Sequence, residues 1–501
     1  MAVYLREFAT QAAYEAAQSS LMLPNVSLID ETNGVAYNPS NPEPPSDPRL
    51  IAVYNVTDTS EPTQICGYVK GFPPFMPDQD YSSGFTSIEI DGVILPTVSY
   101  QYQFDTIGEH TIKYTLLDPT SIGEMAFYNC SGLTSIVIPS GVTIIGEMAF
   151  DGCTSLISIT VDSSNTVYDS RNNCNAIIET STNTLVLGFQ NTVIPNSVTS
   201  IGDSAFNGCT SLTSIDIPSS VTSIDSSAFQ YCISLTSIDI PNSVTSIGNS
   251  AFYRCSGLTS CTIGSGVTSI GNEAFQDCSS LTSIVIPNGV TSIGSSAFTY
   301  CSGLTSCTIG SSVTSVGSYA FYRCDNLTSI TIPDSVTSIG SSAFYYCESL
   351  TSVTIGNSVT SIGRGAFQGC SGLTSIVMPN GITNIMDETF IYCTSLTSVT
   401  IPDSVTTIGS SYAQFGPFAN CYSLRNVTIP RNVTLIGMNA FSNCNNLISV
   451  TVEPTTPPTT YSSTFAGNAS GRKIYVPSAS VETYKAASGW SDYAADIEAI
   501  Q

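Results

Sequence analysis

Cysteines are the first residues of this chain that could do chemistry. The sequence holds 17 cysteines, and nine of them, from Cys209 to Cys393, follow one another at a constant interval of 23 residues. The same interval recurs in two further pairs, Cys130/Cys153 and Cys421/Cys444. Side chains on stacked strands repeat about 4.8 Å apart, farther than the roughly 3.5–4.5 Å between Cβ atoms of a disulfide. We therefore predict a column of buried, reduced thiols, with no disulfide ladder and no metal site.

Four cysteines stand outside this column. Cys261 and Cys307 replace a strand isoleucine of their units and are interpreted in the same way, as buried packing residues. Cys66 and Cys174 have no place in the repeat, and the sequence assigns them no role.

Histidine chemistry is limited by the presence of one residue of this type, His110. A Ser-His-Asp triad, a Cys-His dyad or a multi-histidine zinc site would have to include it. His110 follows Glu109 at the start of a predicted strand, and we expect an ordinary exposed side chain. We predict that the protein is not an enzyme and has no catalytic residues, cofactor or metal.

A pair of carboxylates offers the main alternative. Asp216 and Asp239 occupy the same outward position one period apart, so their carboxyls should lie about 5 Å apart, the separation used by retaining glycosidases. That mechanism needs one acid kept protonated by a desolvating pocket, whereas nearby positions of the column hold open threonines such as Thr262. We interpret the pair as solvated surface, with a weak cation site and catalysis as minor alternatives.

Tyrosine and arginine provide the candidate ligand-binding residues. The two positions between each repeated Phe and Cys vary from unit to unit, and the candidates at these positions are Tyr253, Arg254, Tyr322, Arg323, Tyr345 and Tyr346. Three more tyrosines stand in register with them, Tyr231, Tyr300 and Tyr392. Stacked in a column, they could form a stripe on which sugar rings pack while arginine donates hydrogen bonds. The alternative, that these tyrosines only shield the turn and expose their hydroxyls to water, stays open.

The element that must position these residues is a 23-residue unit. It reads A-F-x-x-C-x-x-L-T-S-I-x-I-P-x-x-V-T-S-I-G-x-x, and thirteen units share this frame. One coil cannot bury its apolar face alone, but stacked coils can. The β-branched L-T-S-I-x-I segment predicts a strand, and the Gly-x-x-Ala-Phe segment predicts a tight return. The prediction is a mainly β solenoid of about thirteen coils, roughly 60 Å long.

The rest of the chain divides around this solenoid. We predict an attachment segment with a helix at Phe8 to Ala17 and a Pro-rich linker over residues 1–49, a small Ig-like β domain, sandwich-like in form, over 50–118, and the solenoid over 119–452. A hairpin insert is predicted at 162–194, five extra residues lie between Cys393 and Cys421, and residues 453–501 should form a cap. The sequence Asp91-Gly92 predicts a hairpin turn.

Charge and hydropathy exclude several classes of partner. The net charge is −25, from 13 basic and 38 acidic residues, which disfavours nucleic acid and anionic membranes. No apolar stretch is long enough for a membrane span, and we expect neither membrane insertion nor a signal peptide at the start of the chain.

The repeat resembles the BspA-like class of leucine-rich repeats. The resemblance rests on the Ile-Pro after the strand and on the Ala-Phe-x-x-Cys return, and it covers Thr120 to Val452. It implies a right-handed leucine-rich-repeat solenoid and an association with surface adhesion. The insert and the C-terminal IYVPSASVETYKAASGWSDYA are also similar to segments of such proteins from gut Bacteroidetes.

The opening, EFATQAAYEAAQSSLMLPNVSLIDETNGVAYNP, is similar to a segment that precedes display modules in gut bacteriophage proteins. Together the resemblances imply an adhesion or display protein on a virion, held to virion structural proteins through its N-terminal segment. We expect it to bind host or mucus glycans or glycoproteins, as a homo-oligomer that gains from multivalency. The alternatives are a bacterial cell-surface BspA-like adhesin and, less favoured, a carbohydrate-active enzyme or an intracellular scaffold.

Overall fold

The computed structural model of the protein describes residues 28–30, 35–37, 47–69 and 79–501. The chain divides into two compact units, Met1–Val198 and Thr199–Gln501, called here the N-terminal and C-terminal units. The predicted helix at Phe8 to Ala17 and most of the predicted attachment segment lie outside the described residues.

Strands dominate the N-terminal unit. They are β1 (Leu28–Asp30), β2 (Val35–Tyr37), β3 (Leu50–Val56), β4 (Thr63–Gln64), β5 (Tyr68–Val69), β6 (Gln79–Asp80), β7 (Phe85–Ile90), β8 (Val93–Ile94), β9 (Gln101–Tyr102), β10 (Gly108–Leu116), β11 (Ser121–Ile122), β12 (Leu133–Ile138), β13 (Ile144–Ile145), β14 (Ser158–Val161), β15 (Tyr168–Asp169), β16 (Ala176–Glu179) and β17 (Thr184–Gly188). Two 3₁₀ turns accompany them, Ser82–Gly84 and Arg171–Asn173.

The main sheet of this unit has the order β14-β12-β3-β10-β7-β8. Strand β3 pairs antiparallel with β10 along one edge and with β12, the first solenoid strand, along the other. The predicted β domain and the first coils therefore share one sheet and one hydrophobic core. The sequence-based prediction gave the domain strands a sheet of their own, because pairing between distant strands leaves no local signal. The independent folding of 50–118 stays a prediction.

Both hairpins predicted in this unit are present. Strands β7 and β8 pair across the two-residue turn at Asp91 and Gly92, whose φ angles of 48° and 84° are those of a primed hairpin turn. In the 162–194 insert, β16 pairs antiparallel with both β15 and β17. Ile177, Ile178 and Leu185 bury the apolar side of this insert.

The C-terminal unit contains the remaining strands. They are β18 (Ser200–Ile201), β19 (Ser223–Ile224), β20 (Ser237–Ile240), β21 (Ser246–Ile247), β22 (Ser260–Ile263), β23 (Ser269–Ile270), β24 (Ser283–Val285), β25 (Ser292–Ile293), β26 (Ser306–Thr308), β27 (Ser315–Val316), β28 (Ser329–Ile332), β29 (Ser338–Ile339), β30 (Ser352–Ile355), β31 (Ser361–Ile362), β32 (Ser375–Val377), β33 (Asn384–Ile385), β34 (Ser398–Thr400), β35 (Thr407–Ile408), β36 (Asn426–Ile429), β37 (Leu435–Ile436), β38 (Ser449–Val452), β39 (Lys473–Val476) and β40 (Ile497–Ala499). One α-helix, α1 (Val481–Ala486), and 3₁₀ turns at Ser478–Ser480 and Ser491–Asp496 complete it.

Each coil of this unit carries a longer strand and a two-residue strand. Both pair in parallel with the same strand of the next coil at a register of 23 residues, as in Ser237↔Ser260 and Ser246↔Ser269. Along β20 the side chains of Ile238 and Ile240 are buried and that of Asp239 is exposed, as the I-x-I pattern predicts.

Phenylalanine forms the continuous centre of the coils. In the C-terminal unit the rings from Phe206 to Phe465 stack in sequence, with centroids 5.0 to 5.7 Å apart and planes within 10° of parallel. Phe465 belongs to the predicted cap, where β39 and β40 continue the parallel sheet beyond β38. The cap is therefore built partly of further coils, and the buried Trp490 closes it by donating Nε1–H to the carbonyl of Pro458 at 2.7 Å.

Candidate functional site

The ladder cysteines are packing residues, as predicted. All 17 cysteines are unpaired, and all but Cys209 and Cys261 are buried. The thiol of a ladder cysteine donates to the phenylalanine carbonyl of the preceding coil, as in Cys255 Sγ to Phe229 O at 3.0 Å. Burial raises the pKa of these thiols, that of Cys444 to about 12, which suppresses the reactive thiolate. Within the described residues no group of three or more His, Cys, Asp or Glu side chains could hold a metal ion.

The two unassigned cysteines also serve the core. Cys66 is buried in the N-terminal unit, and burial raises its pKa well above the ordinary value. The Cys174 thiol donates to the carbonyl of Ala176 at 3.6 Å, and burial raises its pKa to about 11. Neither has the low pKa of a catalytic thiol.

The prediction of an exposed His110 is wrong. Its Nδ1 lies 2.6 Å from Asp91 Oδ2, its Nε2 lies 3.0 Å from the carbonyl of Thr106, and the residue is 8 % exposed. The reason is tertiary: the β7–β8 turn brings Asp91 beside β10, and the Phe104 ring packs on the imidazole at 4.5 Å. Burial alone lowers the pKa of His110, but the hydrogen bonds to Asp91 and Thr106 and the Asp91 charge outweigh it, so the pKa is raised.

Asp216 and Asp239 do not form a desolvated acid pair. Both residues are exposed, and Asp239 stands in parallel register beside Thr262. The burial that would keep one carboxyl protonated at neutral pH is missing at both positions. The interpretation as solvated surface accords with these exposures.

The residue immediately before each ladder cysteine adopts a left-handed backbone. In the C-terminal unit φ is between 56° and 72° at these positions, which are Gly208, Tyr231, Arg254, Asp277, Tyr300, Arg323, Tyr346, Gly369, Tyr392, Asn420 and Asn443. Glycine and asparagine tolerate this conformation, whereas larger side chains lose roughly 1–2 kcal/mol there. Six successive coils, from Tyr231 to Tyr346, nevertheless use tyrosine, arginine or aspartate.

A second left-handed column lies four residues earlier in each coil. Its members are mostly serine, such as Ser296 and Ser342, but Tyr319 also stands there with φ 58° and 46 % of its surface exposed. The sequence analysis missed Tyr319, because its position relative to the other tyrosines depends on how the turn folds. The available signal was a single bulky residue in a column of small ones.

The structure gathers the candidate residues into two groups. The first, called the Arg254 cluster, comprises Tyr231, Tyr253 and Arg254. The Arg254 guanidinium lies 5.6 Å from the ring centroid of Tyr231 and 5.3 Å from that of Tyr253. It also reaches Asp277, with Nε 3.4 Å from Oδ2. This arginine is therefore neutralised.

The second group is larger and is called the Arg323 cluster. It comprises Tyr300, Tyr319, Tyr322, Arg323, Tyr345 and Tyr346. Ring centroids are separated by 5.1 Å for Tyr300–Tyr322, 5.9 Å for Tyr319–Tyr322, 5.2 Å for Tyr322–Tyr345 and 4.6 Å for Tyr345–Tyr346. The Arg323 guanidinium lies 4.9 Å from the Tyr346 ring centroid. The cluster joins three candidate tyrosines and Arg323 in one aromatic surface.

A glycine makes room for this cluster. A Cβ atom at Gly369 would lie 2.8 Å from Cδ1 of Tyr346, so the ring occupies the space that a side chain would take in the next coil. Tyr346 is consequently half-buried, and the most exposed rings of the cluster are Tyr300 and Tyr319, at 40 % and 46 %. The single stripe expected from the sequence is thus two patches, and Tyr392 belongs to neither.

Comparison with known proteins identifies the repeat. The family model of the BspA type leucine-rich repeat region matches residues 99–186, 177–305, 291–415 and 414–488. A leucine-rich repeat protein from Bacteroides ovatus is 29% identical, with a TM-score of 0.57, covering 80% of this chain and 90% of that one. A leucine-rich cell surface protein from Faecalibacterium prausnitzii is 33% identical over 63% of this chain and 83% of that one, with a TM-score of 0.37. A comparison with curated proteins finds no match.

None of the helices in the described residues is long and apolar enough to cross a membrane. The predicted mainly β leucine-rich-repeat solenoid is confirmed by the parallel 23-residue coils and by the family match. The chain belongs to the BspA-type leucine-rich repeat family.

Proposed function

We propose that this protein is a non-enzymatic adhesion protein of a bacterial cell surface that binds glycans or glycoproteins of a host surface or of mucus. The observation that carries the proposal is the run of large side chains at left-handed positions. Glycine or asparagine occupies the same position in other coils of the same chain, so the fold does not require tyrosine or arginine there. Side chains kept against the backbone preference point to a role outside folding.

The chemistry of these side chains suits sugars. Tyrosine rings pack on the apolar faces of sugar rings, and their hydroxyls and the arginine guanidinium donate hydrogen bonds to sugar oxygens. Tyr300 and Tyr319 present the most exposed rings of the Arg323 cluster. Such shallow sites bind weakly, and useful attachment comes from many copies acting together.

The family supports a bacterial surface more than a virion. The matched family and the Bacteroides ovatus structure are leucine-rich repeat proteins, and the sequence resemblance links the class to surface adhesion. The bacteriophage hypothesis depends on residues 1–49, nearly all of which lie outside the described part of the chain. Antibodies against the protein should label intact producing cells; labelling of purified phage particles instead would favour the virion.

The binding proposal is tested with protein displayed in many copies on beads and with mucin-coated surfaces. Replacing three tyrosines of the Arg323 cluster, Tyr300→Ser with Tyr319→Ser and Tyr322→Ser, should weaken bead retention about tenfold or more, because the stacking surface is lost.

The matched control is Tyr412→Ser, which removes a tyrosine that is 94% exposed and belongs to neither cluster. It should retain full binding. Equal retention of the triple variant would place the binding surface elsewhere, and release of sugars from the mucin by wild-type protein would contradict a non-enzymatic role.

A further inference from the structure

Three arginines lie on the return side of the coils in the C-terminal unit, and they differ in their pairing. Arg254 pairs with Asp277 at 3.4 Å, and Arg364 pairs with Glu388 at 2.8 Å. Arg323 makes no ion pair with a carboxylate of the described residues, although the chain carries 38 acidic residues against 13 basic ones. Its positive charge is therefore the one on this side that a ligand meets without a competing carboxylate.

The geometry of Arg323 leaves its hydrogen-bonding edge available. The guanidinium packs over the Tyr346 ring at 4.9 Å, a contact that uses a face of the planar group. The N–H bonds point outward in the plane and match the paired oxygens of a carboxylate or sulfate. The left-handed backbone at Arg323 and Tyr346, with φ of 57° and 56°, fixes both residues at the tight return.

The surroundings restrict the ligand to one negative charge. Asp325 is close enough to Arg323 for the guanidinium to act on its pKa, and Glu348 acts on it from the next coil. Burial and Glu348 raise the pKa of Asp325, while Arg323 lowers it. A polyanion would run into Asp325, Glu348 and Asp277, whereas a single anionic group on a sugar would meet Arg323 alone.

We propose that the Arg323 cluster binds a sugar residue that carries one carboxylate or sulfate group. Arg323 pairs with the anion, and the exposed rings of Tyr300 and Tyr319 pack on the sugar. This inference rests on the proposed function and narrows its ligand class.

The test compares three polymer-linked sugars that differ at one position: lactose, 3′-sialyllactose and 3′-sulfolactose. Beads carrying the wild-type chain should retain at least one acidic conjugate about tenfold better than lactose, because a charge-assisted pair is added to the stacking. The two acidic sugars tell a carboxylate ligand from a sulfate ligand. Arg323→Gln should reduce retention to the lactose level, and Arg323→Lys should restore only part of it, because lysine keeps the charge and loses the planar fork.

The matched control is Arg425→Gln. Arg425 is exposed in the same unit, and among the described residues it makes neither an ion pair nor a stacking contact with a ring, so the variant loses the same charge without touching the cluster. It should bind the acidic conjugates as wild type does.

The outcomes separate the two proposals. Retention of mucin together with equal retention of lactose and the acidic conjugates, or with no retention of either acidic conjugate, overturns the inference and leaves the proposed function standing. Undiminished binding by Arg323→Gln overturns it as well. Failure of the wild-type beads to bind both mucin and the conjugates refutes the proposed function, and this inference with it.

Discussion

At the scale of single residues, the His110–Asp91 contact couples the N-terminal unit to pH. Both ring nitrogens face oxygen acceptors, Asp91 Oδ2 and the carbonyl of Thr106, and both can donate only when the ring is protonated. The pKa of His110 is raised in the folded chain above its ordinary value of 6.5. The stabilising contribution is therefore complete below that value and is lost as the pH rises through the folded pKa.

We expect His110→Gln to destabilise the N-terminal unit by about 1 kcal/mol at pH 5.5, and by less at pH 9, because the charged hydrogen bond exists only at the lower pH. Urea unfolding of both proteins at the two pH values measures the difference. Asp91→Asn should show the same dependence. A destabilisation that grows toward pH 9 would contradict the protonated pair.

The left-handed positions make a second prediction at this scale. Tyr392 has φ 61° and lies outside both clusters, so Tyr392→Asn should raise the free energy of unfolding by about 1 kcal/mol through relief of backbone strain. Tyr422→Asn, at an exposed tyrosine absent from the residues with positive φ, is the control and should give no gain. Thermal unfolding measures both variants, and a destabilised Tyr392→Asn would mean that the ring packs well enough to outweigh the strain.

At the scale of the coil, stability comes from columns of identical side chains. Leu281 is fully buried, whereas Ser283, two residues along the same coil, is exposed. Leu281→Asp should cost about 4 kcal/mol or more, because it leaves a cavity and an unpaired buried charge. Ser283→Asp introduces the same charge at the surface and should change the melting temperature little. Similar melting temperatures for the two variants would refute the buried column.

The cysteine column gives a coil-scale prediction that needs no mutation. Fifteen of the 17 thiols are buried, and their raised pKa values disfavour thiolate. In native protein a thiol reagent should react slowly and chiefly at Cys209 and Cys261, whereas all thiols should react in denaturant. Counting labelled thiols by mass spectrometry checks this. Rapid labelling of folded protein, or unfolding in reductant, would show that the column is not a set of buried free thiols.

At the scale of the whole molecule, residues 1–49 should provide attachment and assembly. Among the described residues the core begins at Leu50, so removal of residues 2–49 should leave the melting temperature nearly unchanged. The same deletion should convert a homo-oligomer into a monomer and release it from its larger assembly. Light scattering after size-exclusion chromatography measures the first effect. A truncated chain that keeps the oligomeric state of the full chain would assign assembly to another region.

The amino-acid sequence determined the repeated part of this protein almost completely. A period of 23 residues places each Phe, Leu and Cys on its counterpart in the next coil, because parallel strands stack in register and one coil cannot bury itself. The Asp91-Gly92 turn and the 162–194 hairpin were also predictable, since short loops carry their own conformational signals. These features depend on neighbours in the sequence or on exact repetition.

Tertiary structure alone decided the features that join distant or irregular segments. The partner of His110 is Asp91, which reaches it through the pairing of β7 with β10, and the pairing of β3 with β12 joins segments about 80 residues apart. The division of the tyrosines and arginines into two clusters, and the isolation of Arg323 from carboxylates, depend on side-chain directions at left-handed turns. A repeat pattern specifies which coil holds a residue, whereas ring and charge contacts depend on distances of a few ångströms that only the folded chain sets.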